Sequence, residues 1–155
     1  MPNRVKIKEE DVPSTVRVLV EDPSGRVLLV SEKEGKIIDY GLNNKPIRKR
    51  RGTGLPGGGV QKGETLQKAA LRELQEETGI TADIEPEPVY EEWKRSSKVY
   101  VFRATNPRGE IKVKSEENIV AAFWVLPSRA HGSFKHDGVD YPAYESHMNW
   151  INGIF

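Results

Sequence analysis

The sequence predicts a mixed α/β (α+β) domain in which short strands combine with two main helices. Three observations carry this. Two apolar runs rich in β-branched residues flank a strong turn at Asp22-Pro-Ser-Gly25. The stretch from Thr65 to Thr78 has helical composition and signals at both ends. Near the C-terminus, Tyr144, Met148, Ile151 and Phe155 recur at four, three and four residues, the spacing of one buried helix face.

The elements follow in order. Residues 1–13 are polar and end in Pro13, which predicts a loose N-terminal arm. Thr15–Val20 and Arg26–Val30, joined by the turn, predict a β-hairpin. Residues 31–54 show no sustained period and carry Lys45, Arg48, Lys49, Arg50 and Arg51, so they predict a long basic loop of functional character. The glycine-rich Leu55-Pro-Gly-Gly-Gly59 leads to the first helix, with Thr65 as its N-cap and Gly79 as its stop. Further strands are predicted at Val89–Trp93, Lys98–Ala104 and Val120–Leu126, and Asp140 with Pro142 behind it predicts the start of the second helix. There is no internal repeat, and the layout predicts one layered domain over residues 1–155.

Composition narrows the function classes. The chain has 155 residues, 30% of them charged, with 24 basic against 23 acidic residues and a net charge of +1. No apolar run approaches the ~18 residues of a membrane span, and the first residues lack the apolar stretch of a secretory signal. The absence of Cys excludes a disulfide framework, a thiolate nucleophile and a Cys-bound zinc. A near-neutral balance disfavours a general nucleic-acid coat. The expectation is a soluble cytoplasmic protein without a membrane partner.

The chemistry concentrates on the first helix. At roughly 100° per residue, Glu73, Glu76 and Glu77 share one face, while Leu71, Leu74 and Thr78 point to an adjacent face that can pack on a sheet. Like charges at this spacing destabilise a helix unless a cation lies between them. Arg72, four residues before Glu76, can neutralise one. The rest call for a further cation, and Mg²⁺ suits hard oxygen ligands shared with substrate phosphates. The glycine-rich turn lets backbone approach a ligand, and a helix N-terminus favours anions. These residues point to a divalent-metal site handling a phosphorylated substrate.

The spacing makes the signal specific. Gly58, Glu64, Arg72, Glu73, Leu74, Glu76, Glu77, Gly79 and Ile80 fill every specified position of a pattern that resembles the Nudix box of the Nudix hydrolase (MutT-like) family. From average residue usage such a coincidence arises on the order of once in a billion windows. The resemblance implies an α/β/α sandwich around a mixed sheet. It also implies a hydrolase that uses Mg²⁺ or Mn²⁺ to cleave a pyrophosphate bond in a nucleoside di- or triphosphate, or in a nucleoside diphosphate linked to another group. By the same resemblance, Glu76 and Glu77 are the main metal ligands, and Glu73 is either a further ligand or the base that activates water. Arg72 orients these carboxylates, the Gly57 carbonyl completes the metal shell, and Glu64 holds the loop to the helix. An extra acidic ligand outside the box falls to Glu116 or Glu117.

Several assignments rest on less. Arg48, Arg50 and Arg51 are candidates to grip phosphates, Gly58 to approach the substrate by its backbone, and Trp93, Tyr90 or Phe134 to stack on a base. His131, His136 and His147 are read as surface or packing residues before catalytic ones. Pro86 and Pro88 stand too near the box to match the proline associated with ADP-ribose hydrolysis. The favoured partner is a small nucleotide. The alternatives are an RNA 5′-end pyrophosphohydrolase, suggested by the basic loop, and a catalytically silent nucleotide sensor. The oligomeric state stays open, a homodimer included.

Overall fold

The computed structural model describes residues 13–33, 37–94, 97–114 and 118–153. The N-terminal arm, apart from Pro13, lies outside these residues, as do Glu116, Glu117 and Phe155. Among the described residues, twelve strands and two α-helices follow one another: β1 (Ser14–Val20), β2 (Val27–Glu32), β3 (Ile37–Tyr40), β4 (Pro46–Arg48), β5 (Gly52–Gly54), β6 (Gly57–Gly59), α1 (Leu66–Thr78), β7 (Thr81–Ile84), β8 (Tyr90–Lys94), β9 (Ser97–Arg108), β10 (Ile119–Val125), β11 (Ser133–His136), β12 (Val139–Pro142) and α2 (Glu145–Ile151). The main sheet runs β6-β1-β9-β7, with β8 also on β9, and is mixed because β1 and β9 are parallel. A second sheet runs β10-β2-β5.

The Asp22–Gly25 turn forms as expected. The Asp22 carboxylate accepts the backbone N–H of Ser24 and of Arg26 at 2.9 and 2.8 Å, which stiffens the corner. The hairpin beyond it does not form. After the isolated Glu21–Val27 bridge, β1 joins the main sheet and β2 the second one. The reason lies in burial. Val27, Leu28, Leu29 and Val30 are all buried, so β2 needs apolar cover on both faces rather than a solvated hairpin face.

Alternation along these strands sorts the core into two layers. Val16, Val18, Val20, Leu28, Tyr100 and Phe102 pack with Ala69, Ala70 and Leu74 of α1. Leu19, Val27, Leu29, Val99 and Val101 pack with Met148 and Trp150 of α2. The strands thus lie between two helices, the sandwich that the resemblance implied.

Helix α1 has the expected ends. Thr65 Oγ1 accepts the Lys68 N–H at 3.1 Å, and Gly79 closes the helix in the left-handed region at φ 78°. Two other expectations change. The connection at 31–54 is not a plain loop: it contains the β3–β4 hairpin and β5, whose pairing with β2 runs Val30–Gly54 to Glu32–Gly52. The second helix begins at Glu145, because Asp140 and Pro142 belong to a β11–β12 hairpin closed by Asp137-Gly138, both at positive φ. An Asp-Gly pair between alternating runs is the standard signal for this two-residue turn. Among the described residues, no helix is long and apolar enough to cross a membrane.

Candidate active site

The glycine-rich strand β6 lies antiparallel to β1, with Arg17 opposite Gly57, Val16 opposite Gly58 and Thr15 opposite Gly59. It thereby runs against α1 at its carboxylate-bearing turns. A Cβ on Gly58 would stand 2.6 Å from the Glu73 carboxyl carbon, so any side chain there displaces that carboxylate. The lack of a side chain at Gly58 makes room for Glu73.

Arg72 organises this end of the helix. Its Nε and Nη2 donate to the two oxygens of Glu64 at 2.7 and 3.0 Å, a two-pronged contact. Nη1 donates to Glu73 at 3.0 Å and to Glu76 at 3.1 Å, and Nη2 also reaches the Gly59 carbonyl at 2.9 Å. These bonds hold the guanidinium even more firmly protonated than usual, the Glu64 contact most of all, and hold the Glu64 carboxyl below its ordinary range. One side chain therefore ties the β6 loop, Glu64 and two helix carboxylates together.

Glu77 behaves differently. It is only 7% exposed, on the buried side of α1, and its Oε1 accepts the Gly57 N–H at 2.9 Å. Burial pushes its pKa up to about 8, with Glu73 and Glu32 adding to the rise while Arg17 and the Gly57 N–H oppose it. The three helix carboxylates are thus divided between Arg72 and Gly57. Among the described residues, no group of three or more His, Asp or Glu side chains is gathered as a metal cluster. The chemistry of the donor set nevertheless suits a hard divalent cation: Glu73, Glu76, Glu77 and the Gly57 carbonyl offer oxygen alone. A buried carboxyl made reluctant to ionise by burial and by other carboxylates is also a place where added positive charge is stabilising.

On the other side of β1 lies a cavity of about 660 Å³. Thr15 and Arg17 of β1 line it together with Ile47–Arg50, Lys94, and Tyr144, His147 and Trp150 at α2. Arg48 and Arg50, the candidates to grip phosphates, are among its lining residues. Arg51 does not: its guanidinium lies 5.8 Å over the Tyr141 ring, in a neighbouring cavity. Trp93 is absent from both linings, 58% exposed on β8 with Lys98 5.1 Å from its ring. Tyr90 and Phe134 pack against the α2-side core.

Lys49 is the most constrained cation in the cavity. It pairs with Glu32 and lies 4.9 Å over the Tyr144 ring. Burial, with help from Arg17, lowers its pKa to about 8, against the pull of Glu32 and Glu77. The Tyr144 hydroxyl donates to the Arg50 carbonyl at 2.6 Å and makes a longer contact of 3.2 Å to Glu32. Burial and Glu32 hold that hydroxyl protonated.

Two of the three histidines, His136 and His147, serve packing. His147 is buried and stacked on Trp150 at 4.7 Å, and its Nδ1 accepts the Leu55 N–H at 2.9 Å. Burial keeps it neutral. A Cβ on Gly54 would fall 2.2 Å from that nitrogen, so β5 must be glycine there for α2 to dock. His136 Nε2 lies 3.0 Å from Ser31 Oγ, itself 2.6 Å from Thr53 Oγ1, which donates to the Tyr141 carbonyl. The hydroxyl protons run toward that carbonyl, so Ser31 accepts from His136 and is not an activated nucleophile. His131 is exposed on a turn.

Sequence reasoning did not single out Arg17, Glu32, Lys94 or Trp150, and read Tyr144 only as part of a buried helix face. Only Arg17 left a usable signal: it is the one charge inside the apolar run Thr15–Val20.

The comparisons agree with this architecture. The NUDIX domain model matches residues 12–146. An ADP-ribose pyrophosphatase of Methanocaldococcus jannaschii is 30% identical over 129 residues, 80% of this chain and 72% of that protein. An ADP-ribose pyrophosphatase of Bacillus subtilis is 42% identical over 66 residues, 43% of this chain, and the match spans only 35% of that relative. Among solved structures, the MutT NUDIX hydrolase of Burkholderia pseudomallei superimposes with a TM-score of 0.64 at 20% identity, over 92% of this chain and 97% of the other. With its family model, sequence relatives and fold in agreement, the chain belongs to the NUDIX domain family.

Proposed function

We propose that the chain is a divalent-metal-dependent pyrophosphohydrolase. It would cleave the anhydride of a nucleoside di- or triphosphate, or of a nucleoside diphosphate linked to another moiety. The observation that carries this reading is Glu77: a buried carboxylate anchored on the N–H of Gly57, the residue that pairs across the strands with Arg17 of the cation-lined cavity. The two relatives named ADP-ribose pyrophosphatase support a nucleoside diphosphate sugar among the substrates.

Glu76, Glu77, the Gly57 carbonyl and, as ligand or base, Glu73 would hold the metal. When bound, Mg²⁺ or Mn²⁺ neutralises phosphate oxygens and lowers the pKa of water. This chain's own residues do the rest. Arg72 holds Glu73 and Glu76 in register with the β6 loop. Glu73, seated against Gly58, is placed to take a proton from attacking water if it acts as base. Arg17, Arg48, Lys49 and Arg50 face the cavity and would orient the phosphate chain, while Tyr144 offers aromatic surface for a base.

The test is turnover of a nucleotide panel with Mg²⁺ or Mn²⁺, scored for phosphate and pyrophosphate release. Hydrolysis abolished by chelation and restored by metal is the expected result. Nucleotide binding without turnover of any member would establish the silent-sensor reading instead.

A further inference from the structure

Arg50 is a shared wall. On its far side lies a second cavity of about 610 Å³, lined by Lys33, Arg50, Arg51 and Tyr141 with the apolar Val139 and Pro142. Among the described residues, no carboxylate lines it. The neighbouring carboxylate on β2, Glu32, is engaged by Lys49 and Tyr144 in the first cavity. The site is also held in place. The Tyr144 hydroxyl fixes the Arg50 carbonyl at 2.6 Å, Tyr141 backs the Arg51 guanidinium at 5.8 Å, and Gly52 pairs with Glu32 directly after them.

Cations that line one cavity repel one another, and an anion placed between them relieves that repulsion. Two of them are arginines, whose forked donors match phosphate oxygens. Because Arg50 faces both cavities, a ligand lying in the first and continuing past Arg50 meets positive charge on both sides of it.

We propose that Lys33, Arg50 and Arg51 form a second anion subsite, which receives a phosphate remote from the bond that is cleaved. The favoured ligands are small molecules with an extended polyphosphate chain. This inference rests on the first cavity being the substrate site. An RNA track is disfavoured, because the net charge is +1 and this basic run ends within the two adjoining cavities.

The experiment measures equilibrium binding of two methylene-bridged, non-cleavable analogues in Mg²⁺, one of ADP-ribose and one of a dinucleoside pentaphosphate. The wild-type chain should prefer the pentaphosphate by about tenfold or more. In the double variant Lys33→Ala/Arg51→Ala that preference should fall toward unity. Lys135→Ala, an equal change per residue on the neighbouring hairpin, should leave it in place. Absence of the preference in the wild type, its survival in the double variant, or equal weakening of both ligands would overturn the subsite. So would a larger loss for 5′-triphosphorylated RNA than for the pentaphosphate. If binding behaves as expected but no cleavable nucleotide is hydrolysed, the enzymatic reading fails and the subsite stands. If ADP-ribose is hydrolysed without the preference, the reverse holds.

Discussion

The carboxylate end of α1 and the basic cavity beside it are built in opposite ways. The first comes almost wholly from one run of chain, Gly57 to Gly79, and one arginine binds its members together through five hydrogen bonds. The second draws its cations from β1, the segment around β4 and the end of β8, and its aromatic rings from α2. A local site keeps its geometry through helix periodicity and short-range ion pairs. An assembled one depends on every element being docked.

This contrast predicts different kinds of failure, and the largest effect belongs to the local site. Glu77→Gln preserves shape but removes charge, and turnover should fall by more than ~10²-fold, since even outer-shell partners of a metal are worth about 10–100-fold. Melting temperature should stay near wild type or rise, because an amide carries no ionisation penalty at this buried position. Full turnover at low Mg²⁺ would break the assignment.

Next comes Arg72→Lys. A point charge cannot reproduce the two-pronged Glu64 contact while also reaching Glu73 and Glu76. The rate should fall about tenfold, as for an outer-shell partner, with substrate affinity changing less. Steady-state kinetics checks this, and a normal rate with lost binding would place Arg72 on the substrate.

The assembled cavity should fail in affinity, with a pH signature. Lys49 faces Glu32 on β2, Arg17 on β1, Tyr144 at α2 and the field of Glu77 on α1, and it titrates near pH 8. Its positive charge is present below that pH and lost above it, so KM for an anionic substrate should climb as pH passes 8. Lys49→Met should raise KM several-fold at pH 7 and remove the step. The linked stability effect has a definite sign. Between pH 8 and the unfolded lysine value of 10.5, the unfolded chain binds more protons, so this group favours folding as pH rises.

The smallest expected effect is Thr65→Ala, which removes the helix cap. It should cost about 1 kcal/mol in denaturant unfolding and leave Arg72 and its partners in place. A large loss of activity with little loss of stability would show that the β6 turn, rather than the helix, depends on Thr65.

Much of this was legible in the chain, for a definite reason. Thr65, Gly79 and the Glu–Arg spacing between them act within one helix, where 3.6 residues per turn translate sequence distance directly into space. The Asp137-Gly138 turn was equally legible as a hairpin signal, yet the competing Asp140–Pro142 helix signal obscured it. The divergence of β1 and β2 was not readable, because a continuous apolar run reveals double-sided burial without naming the partner strands.

The sequence alone determined the two ends of α1 and the run of carboxylates along it, since these are set by local periodicity and capping. Only the tertiary structure decided that Glu77 turns inward to Gly57, that Arg48 and Arg51 part company into different cavities, and that Tyr144 and Trp150 line one cavity with Arg17. Those positions depend on contacts between residues far apart along the chain, and no local rule relates such residues until strands and helices have packed.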